Sequence, residues 1–154
     1  MSAKKLVYVC GSDQLRQKAL EYLGETEENV IFLQSNVPVA LDPYGSIVKA
    51  MLISSFKEEV KEVYIVASEN DESKISEQEM WQWLEENGVE KNTANLIEYI
   101  KTPNQFSVGS WLSVGAVENT LAENLQMLQS HPLLPKTLSF HAICLSNNKE
   151  TVAI

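Results

Sequence analysis

The chain has 154 residues, of which 44% are hydrophobic and 21% charged, and a formal charge of −9. A chain of that length buries about 70% of its unfolded surface without a disulfide or a structural metal, so one self-supporting domain over residues 1–154 is expected, and the composition excludes disorder and fibres. Twelve basic residues spread singly among twenty-one acidic ones leave no clustered basic surface, which excludes nucleic acid as a partner.

Leu6 to Cys10 is a short apolar run ending in Gly-Ser-Asp, which reads as a buried strand entering a helix capped by Ser12 or Asp13. The run is too short for a signal-peptide core, and nothing approaches the roughly 18 apolar residues of a membrane helix, so no membrane span and a cytoplasmic location are expected. In that compartment Cys10 and Cys144, the two cysteines, stay reduced. Val30 to Leu33 and Val63 to Ala67 repeat the strand signal. Between them Tyr44 to Glu59 carries Ile47, Met51, Leu52 and Phe56 at helical spacing.

Ser76 to Asn87 opens with the capping-box pair Ser76 and Glu79 and stops before Gly88, with Met80, Trp81 and Leu84 on the core side. Lys101 to Leu112, with Pro103, Gly109 and small polar residues, reads as the longest loop, anchored by Trp111. Val114 to Gln129 is a helix with Val117, Leu121, Leu125 and Leu128 on one face, ended at His131-Pro132. Leu138 to Leu145 and Thr151 to Ile154 form a last strand pair turning at Ser146-Asn147-Asn148. Alternating strands and helices with near-continuous strand hydrophobicity predict an α/β fold: a doubly wound, mostly parallel sheet with a C-terminal helix and terminal strands.

Ligands of such a sheet bind beyond the carboxyl ends of the strands where the order reverses, here between the loops after strands one and three. Those loops run from Cys10 to Arg16 and from Ser68 to Ser73. Arg16 is the one arginine of the chain and sits a turn into the helix after Cys10, whose amides favour an anion or a thiolate. Cys10 is equally a buried strand-end residue, as free cysteines often are. Cys10 and Arg16 at this spacing fit a cysteine-dependent phosphatase, and in length and loop position the chain looks like the low-molecular-weight tyrosine phosphatases. It departs from them at Gln17, where that family has Ser or Thr, and in its early Asp42-Pro43.

Four segments in order resemble the β-class carbonic anhydrases, particularly the small bacterial forms. They are strand one with its Cys10 loop, Asn36 to Ile47, Val60 to Ala67, and Val117 to Pro135 followed by Phe140-His141-Ala142. That family binds zinc through Cys-x-Asp-x-Arg after strand one and His-x-x-Cys after strand three, and it pairs as dimers. Cys10 matches the first ligand, Asp13 and Arg16 match the dyad only loosely, and Ser68 and Asp71 stand where the His and Cys belong. A serine hydroxyl is a poor zinc donor, so no metal or other cofactor is expected. His131 and His141 fall at the helix end and in the last strand, where structural roles are expected. Glu69, Asp71 and Glu72 read as solvated surface. The resemblance implies a carbonic-anhydrase-like protein that has lost zinc and carbon dioxide hydration and acts as a binding or partner subunit. It also implies a homodimer, with a further protein partner open. The alternatives are a divergent zinc enzyme using Cys10 and Asp71, and the phosphatase.

Overall fold

Five of the six residues of β1 (Lys5–Cys10) are buried, as an unbroken apolar run requires of a strand covered on both faces. The computed structural model describes residues 3–68, 75–101, 107–145 and 152–153. Beyond β1 the elements are α1 (Asp13–Leu23), β2 (Val30–Ser35), α2 (Ser46–Glu58), β3 (Glu62–Ser68), α3 (Glu77–Glu86), α4 (Asn92–Lys101), α5 (Val108–Leu112), α6 (Val117–Ser130), β4 (Ser139–Leu145) and β5 (Val152–Ala153). The sheet order is β2-β1-β3-β4-β5, with the first four strands parallel and β5 antiparallel to β4. This is the expected mostly parallel sheet, and its order reverses between β1 and β3. The turn expected at 146–148 lies outside the described residues.

The chain forms two compact units, Met1–Asn70 with Val117–Ile154, and Asp71–Ala116. In the first, strand alternation sends side chains to two cores. Leu6, Tyr8, Cys10, Val63, Ile65 and Ala67 pack with Val48 and Met51 of α2 and with Val117, Leu121, Leu125 and Leu128 of α6. Val7, Val9, Val66 and Ile143 pack with Leu15, Ala19 and Leu20 of α1. Helices therefore cover both faces, and all four apolar positions predicted for α6 are buried.

Of the stripe predicted for α2, Met51 is buried and Ile47 and Leu52 pack partly buried against the core, and Phe56 alone departs. Val48, Met51 and Ser55 are its buried residues, whereas Phe56 is 76% exposed. The helix also starts later than Tyr44, because Asp42 organises a turn ahead of it. The Asp42 carboxylate accepts from the Tyr44 N–H at 2.9 Å, and its carbonyl accepts from the Gly45 N–H at 3.0 Å.

In the second unit the predicted capping box is present, with Ser76 Oγ accepting from the Glu79 N–H and Glu79 from the Ser76 N–H. Trp81 packs with Ala94 and Val108, and Leu84 and Leu112 lie against them. The segment read as a long loop contains α5. Its small residues are structural, since Ser107 Oγ accepts from the Ser110 N–H at 3.3 Å and a Cβ at Gly109 would overlap the Glu77 carboxylate. Trp111, expected as an anchor, is 71% exposed. The helix α4 lacks a sequence counterpart above, and residues 102–106 lie outside those described. Among the described residues no helix is long and apolar enough to cross a membrane.

One side chain joins α6 to the segment after β2. Asn124, 3% exposed, accepts from the Leu41 N–H at 2.9 Å and donates to the Val39 carbonyl at 3.0 Å. Asn124→Ala is expected to lower the unfolding free energy by about 2 kcal/mol, read from urea midpoints, because it strands two backbone groups at once. A loss below about 0.5 kcal/mol, the usual scatter of surface substitutions, would show that the clamp contributes nothing.

Candidate functional site

The carboxyl end of β1 is a knot of short hydrogen bonds. Cys10 pairs across the sheet with Ser35 of β2 and Ala67 of β3, and its thiol lies in the core facing α2 and α6 at 3% exposure. Tyr8, two residues earlier, shares that face. Its hydroxyl lies 2.9 Å from Ser35 Oγ. Ser35 gives its one hydroxyl proton to the Val37 carbonyl at 2.9 Å, so Tyr8 is the donor to Ser35. The Cys10 thiol lies beside both hydroxyls. Burial pushes the thiol up to about 11, and the two hydroxyls offset only part of that. Burial, with Cys10 beside it, likewise pushes Tyr8 up to about 12.

The loop that follows is tied to β2. The Gly11 N–H donates to the Ser35 carbonyl at 2.7 Å. Gln34 Nε2 donates to the Gly11 carbonyl at 2.9 Å and to Asp13 Oδ1 at 3.2 Å. Ser12 occupies the N-cap position of α1 without a capping bond from its side chain, and Asp13 is the first helical residue. Asp13 and Arg16, matched loosely to the family's dyad, take different partners. Arg16 lies over the Phe32 ring at 4.2 Å from its centroid, with Nη2 3.9 Å from Glu27 Oε1.

Ser68 ends β3 one residue beyond the level of Cys10. Alternation puts it on the face of Val66, opposite Cys10. Asp71, with Glu69 and Glu72, lies outside the described residues. His131 and His141 take structural positions. His131 Nε2 donates to the Pro43 carbonyl at 2.7 Å while Nδ1 accepts from the Leu133 N–H at 3.1 Å, so both ring nitrogens are engaged. His141 stacks on Tyr64 at 4.8 Å.

The described donors do not by themselves make up a catalytic zinc site, which takes three protein ligands of the Cys, His or carboxylate kind. Cys10 is one such donor, Ser68 is not, and among the described residues no three His, Cys, Asp or Glu side chains converge. The phosphatase constellation is not assembled either. Its thiol must ionise near neutral pH beside an arginine, whereas Cys10 is held protonated and Arg16 is turned to Phe32 and Glu27. Tyr8, Gln34 and Ser35 belong to no motif in the sequence. The alternation of Tyr8 with Cys10 was a signal, but the role of Ser35 depends on the β1–β2 register.

The buried thiol makes stability depend on alkaline pH. Its ordinary value is 9.0 and its folded value about 11, so the folded state holds the proton more tightly. The contribution is therefore complete below pH 9 and is lost as pH rises through 11. Wild-type protein is expected to lose on the order of 2 kcal/mol more than Cys10→Ala between pH 8 and pH 11 in urea titrations. Parallel curves for the two proteins would show that the thiol ionises freely.

No family profile matches the chain. YvdA of Bacillus subtilis (strain 168), whose name assigns it provisionally to the carbonic anhydrases, is 26% identical over 144 residues, covering 92% of this chain and 71% of its own. The β-carbonic anhydrase isoform I of Trichomonas vaginalis superposes with a TM-score of 0.73 at 15% identity, covering 100% of this chain and 85% of that one. A tetrameric β-carbonic anhydrase of Sordaria macrospora gives a TM-score of 0.51 at 11% identity, covering 95% and 77%. Sequence relatives and fold thus agree with the resemblance read from the four segments: the chain has the fold of the β-carbonic anhydrases and is similar in sequence to a protein named for carbonic anhydrase.

Proposed function

We propose that this chain, one domain over residues 1–154, has given up the catalytic zinc and carbon dioxide hydration of the proteins it resembles and acts in the cytoplasm as a binding or partner subunit. The observation that carries the reading is the Cys10 knot. At the position of the family's first zinc ligand the thiol is buried, protonated at neutral pH and set beside the hydroxyls of Tyr8 and Ser35. Ser68, at the position of the histidine ligand, offers only a hydroxyl.

Hydration of carbon dioxide in such a site depends on a metal that lowers the pKa of bound water to about 7. Among the described residues no group stands free as a replacement base. Asp13 accepts from Gln34, and Arg16 is engaged by Glu27 and Phe32. Pairing as a homodimer is part of the proposal and rests on kinship, with the tetrameric Sordaria macrospora protein as an example of assembly on this fold.

Likeness to a relative named for carbonic anhydrase favours a second reading, a divergent zinc enzyme using Cys10 and Asp71. Mass-spectrometric metal analysis and stopped-flow carbon dioxide hydration on one preparation separate the two. The proposal expects far less than one zinc per chain and a rate at buffer background, before and after added zinc. Near-stoichiometric zinc with hydration that Cys10→Ser abolishes would establish the divergent enzyme instead.

A further inference from the structure

The sheet stops at β2, which pairs with β1 alone and leaves its other edge open. Soluble proteins usually blunt such an edge with lysine, proline, a bulge or a very short strand. Val30–Ser35 has none of these: it is six residues without a charge, a proline or a break in register, five of them only half-buried. Hydrogen bonding shows which groups lie along the edge. The Ser35 carbonyl accepts from the Gly11 N–H at 2.7 Å, so Ser35 turns its backbone towards β1. Alternate residues of a parallel strand share that direction, so Ile31 and Leu33 also face β1, while Phe32 and Gln34 turn their N–H and C=O groups outwards. Val30 faces outwards too, but its N–H is spent on the Glu27 carbonyl. Among the described residues no group pairs with the backbone of Phe32 or Gln34.

Donors and acceptors at strand spacing take another strand, and the chain carries its own complement. Set antiparallel to a second copy about a two-fold axis at Leu33, Phe32 of each chain lies opposite Gln34 of the other. The open groups then form four hydrogen bonds with none left over. An axis at Phe32 would set the Gln34 carbonyl against the Val30 N–H already spent on Glu27, and an axis at Gln34 would call on Asn36, beyond the end of the strand. Charge selects the same register. Gln34 Nε2 holds Asp13 and the Phe32 ring carries Arg16, so the neighbour of a carboxylate on one chain meets the neighbour of a guanidinium on the other, twice. Glu27 and Glu28 fall opposite Val39 and Pro38 rather than one another, which matters in a chain of charge −9. We propose that the outer edge of β2 pairs with the same edge of a second copy, antiparallel about an axis at Leu33, joining two five-stranded sheets into one. The inference rests on the homodimer reading above and supplies its surface.

Sedimentation and amide hydrogen exchange by NMR on the full chain test the seam without a substitution. The chain is expected to dimerise, and at about a hundred-fold above the dissociation constant the Phe32 and Gln34 amides should exchange about tenfold more slowly than in dilute monomer. The Leu33 and Ser35 amides, bonded to β1, should be protected at both concentrations. Register is read from engineered thiols, the native cysteines being buried. Leu33→Cys should be captured by the oxidant diamide as a disulfide-linked dimer, because directly opposed residues of a non-hydrogen-bonded antiparallel pair have Cα atoms about 4.5 Å apart. Ile31→Cys should not, since its two copies would lie about 14 Å apart. Capture of Ile31→Cys in place of Leu33→Cys would overturn the register. A dimer whose Phe32 and Gln34 amides exchange as in the monomer would overturn the seam and leave the homodimer standing, whereas a chain that stays monomeric would overturn both.

Discussion

Burial of β1 on both faces sets the terms for everything at its carboxyl end. A strand flanked by β2 and β3 and covered by helices above and below leaves its last side chains no water to bond with, so each polar group there must find a protein partner or cost several kcal/mol. Tyr8, Cys10 and Ser35 meet that demand together and end the chain of donors on the Val37 carbonyl. The backbone meets it through Gly11 and Ser35, and Gln34 closes the loop over both. The same burial that demands partners also keeps the thiol protonated, because among the described residues no cation offsets the desolvation of a thiolate in this place.

From this follows the distribution of the charged groups nearby. Asp13, at the first position of α1, lies where a carboxylate favours the helix dipole, and it takes its hydrogen bond from Gln34. Arg16, one turn on, is drawn sideways to the aromatic face of Phe32 and to Glu27. Two residues that lie near each other in sequence thus serve separate contacts along β2. They brace α1 against the edge strand, and neither is directed at the thiol.

The sequence made the framework legible wherever a single element carried its own signal. Continuous apolar runs marked the strands, the Ser76–Glu79 pair marked α3, and the spacing of Val117, Leu121, Leu125 and Leu128 marked the buried face of α6. It was misleading where a stripe admits two readings. In α2 Ile47, Met51 and Leu52 pack against the core as their spacing predicts, but Ser55 and not Phe56 completes the buried face. It was also misleading in α5, where Ser107 and Gly109 read as loop residues but act as a cap and a close-approach site. At the site, Cys10, Asp13 and Arg16 were identifiable by type and position. Their partners were not, because Ser35, Gln34 and Phe32 reach them only through the register of β1 against β2, a long-range fact that local spacing does not encode.

The segments that carry the family resemblance are bound to one another by side chains. Asn124 holds Val39 and Leu41, and His131 holds Pro43, so the stretch from Asn36 to Ile47 and the stretch from Val117 to Pro135 form one hydrogen-bonded assembly beneath the sheet. These contacts are needed for the fold whatever chemistry occurs above it. The described positions that depart from the family's pattern, Asp13, Arg16 and Ser68, take no part in that assembly. Likeness across the chain and a different donor set are compatible, since the first reports the demands of packing and the second is decided by a few residues at strand ends.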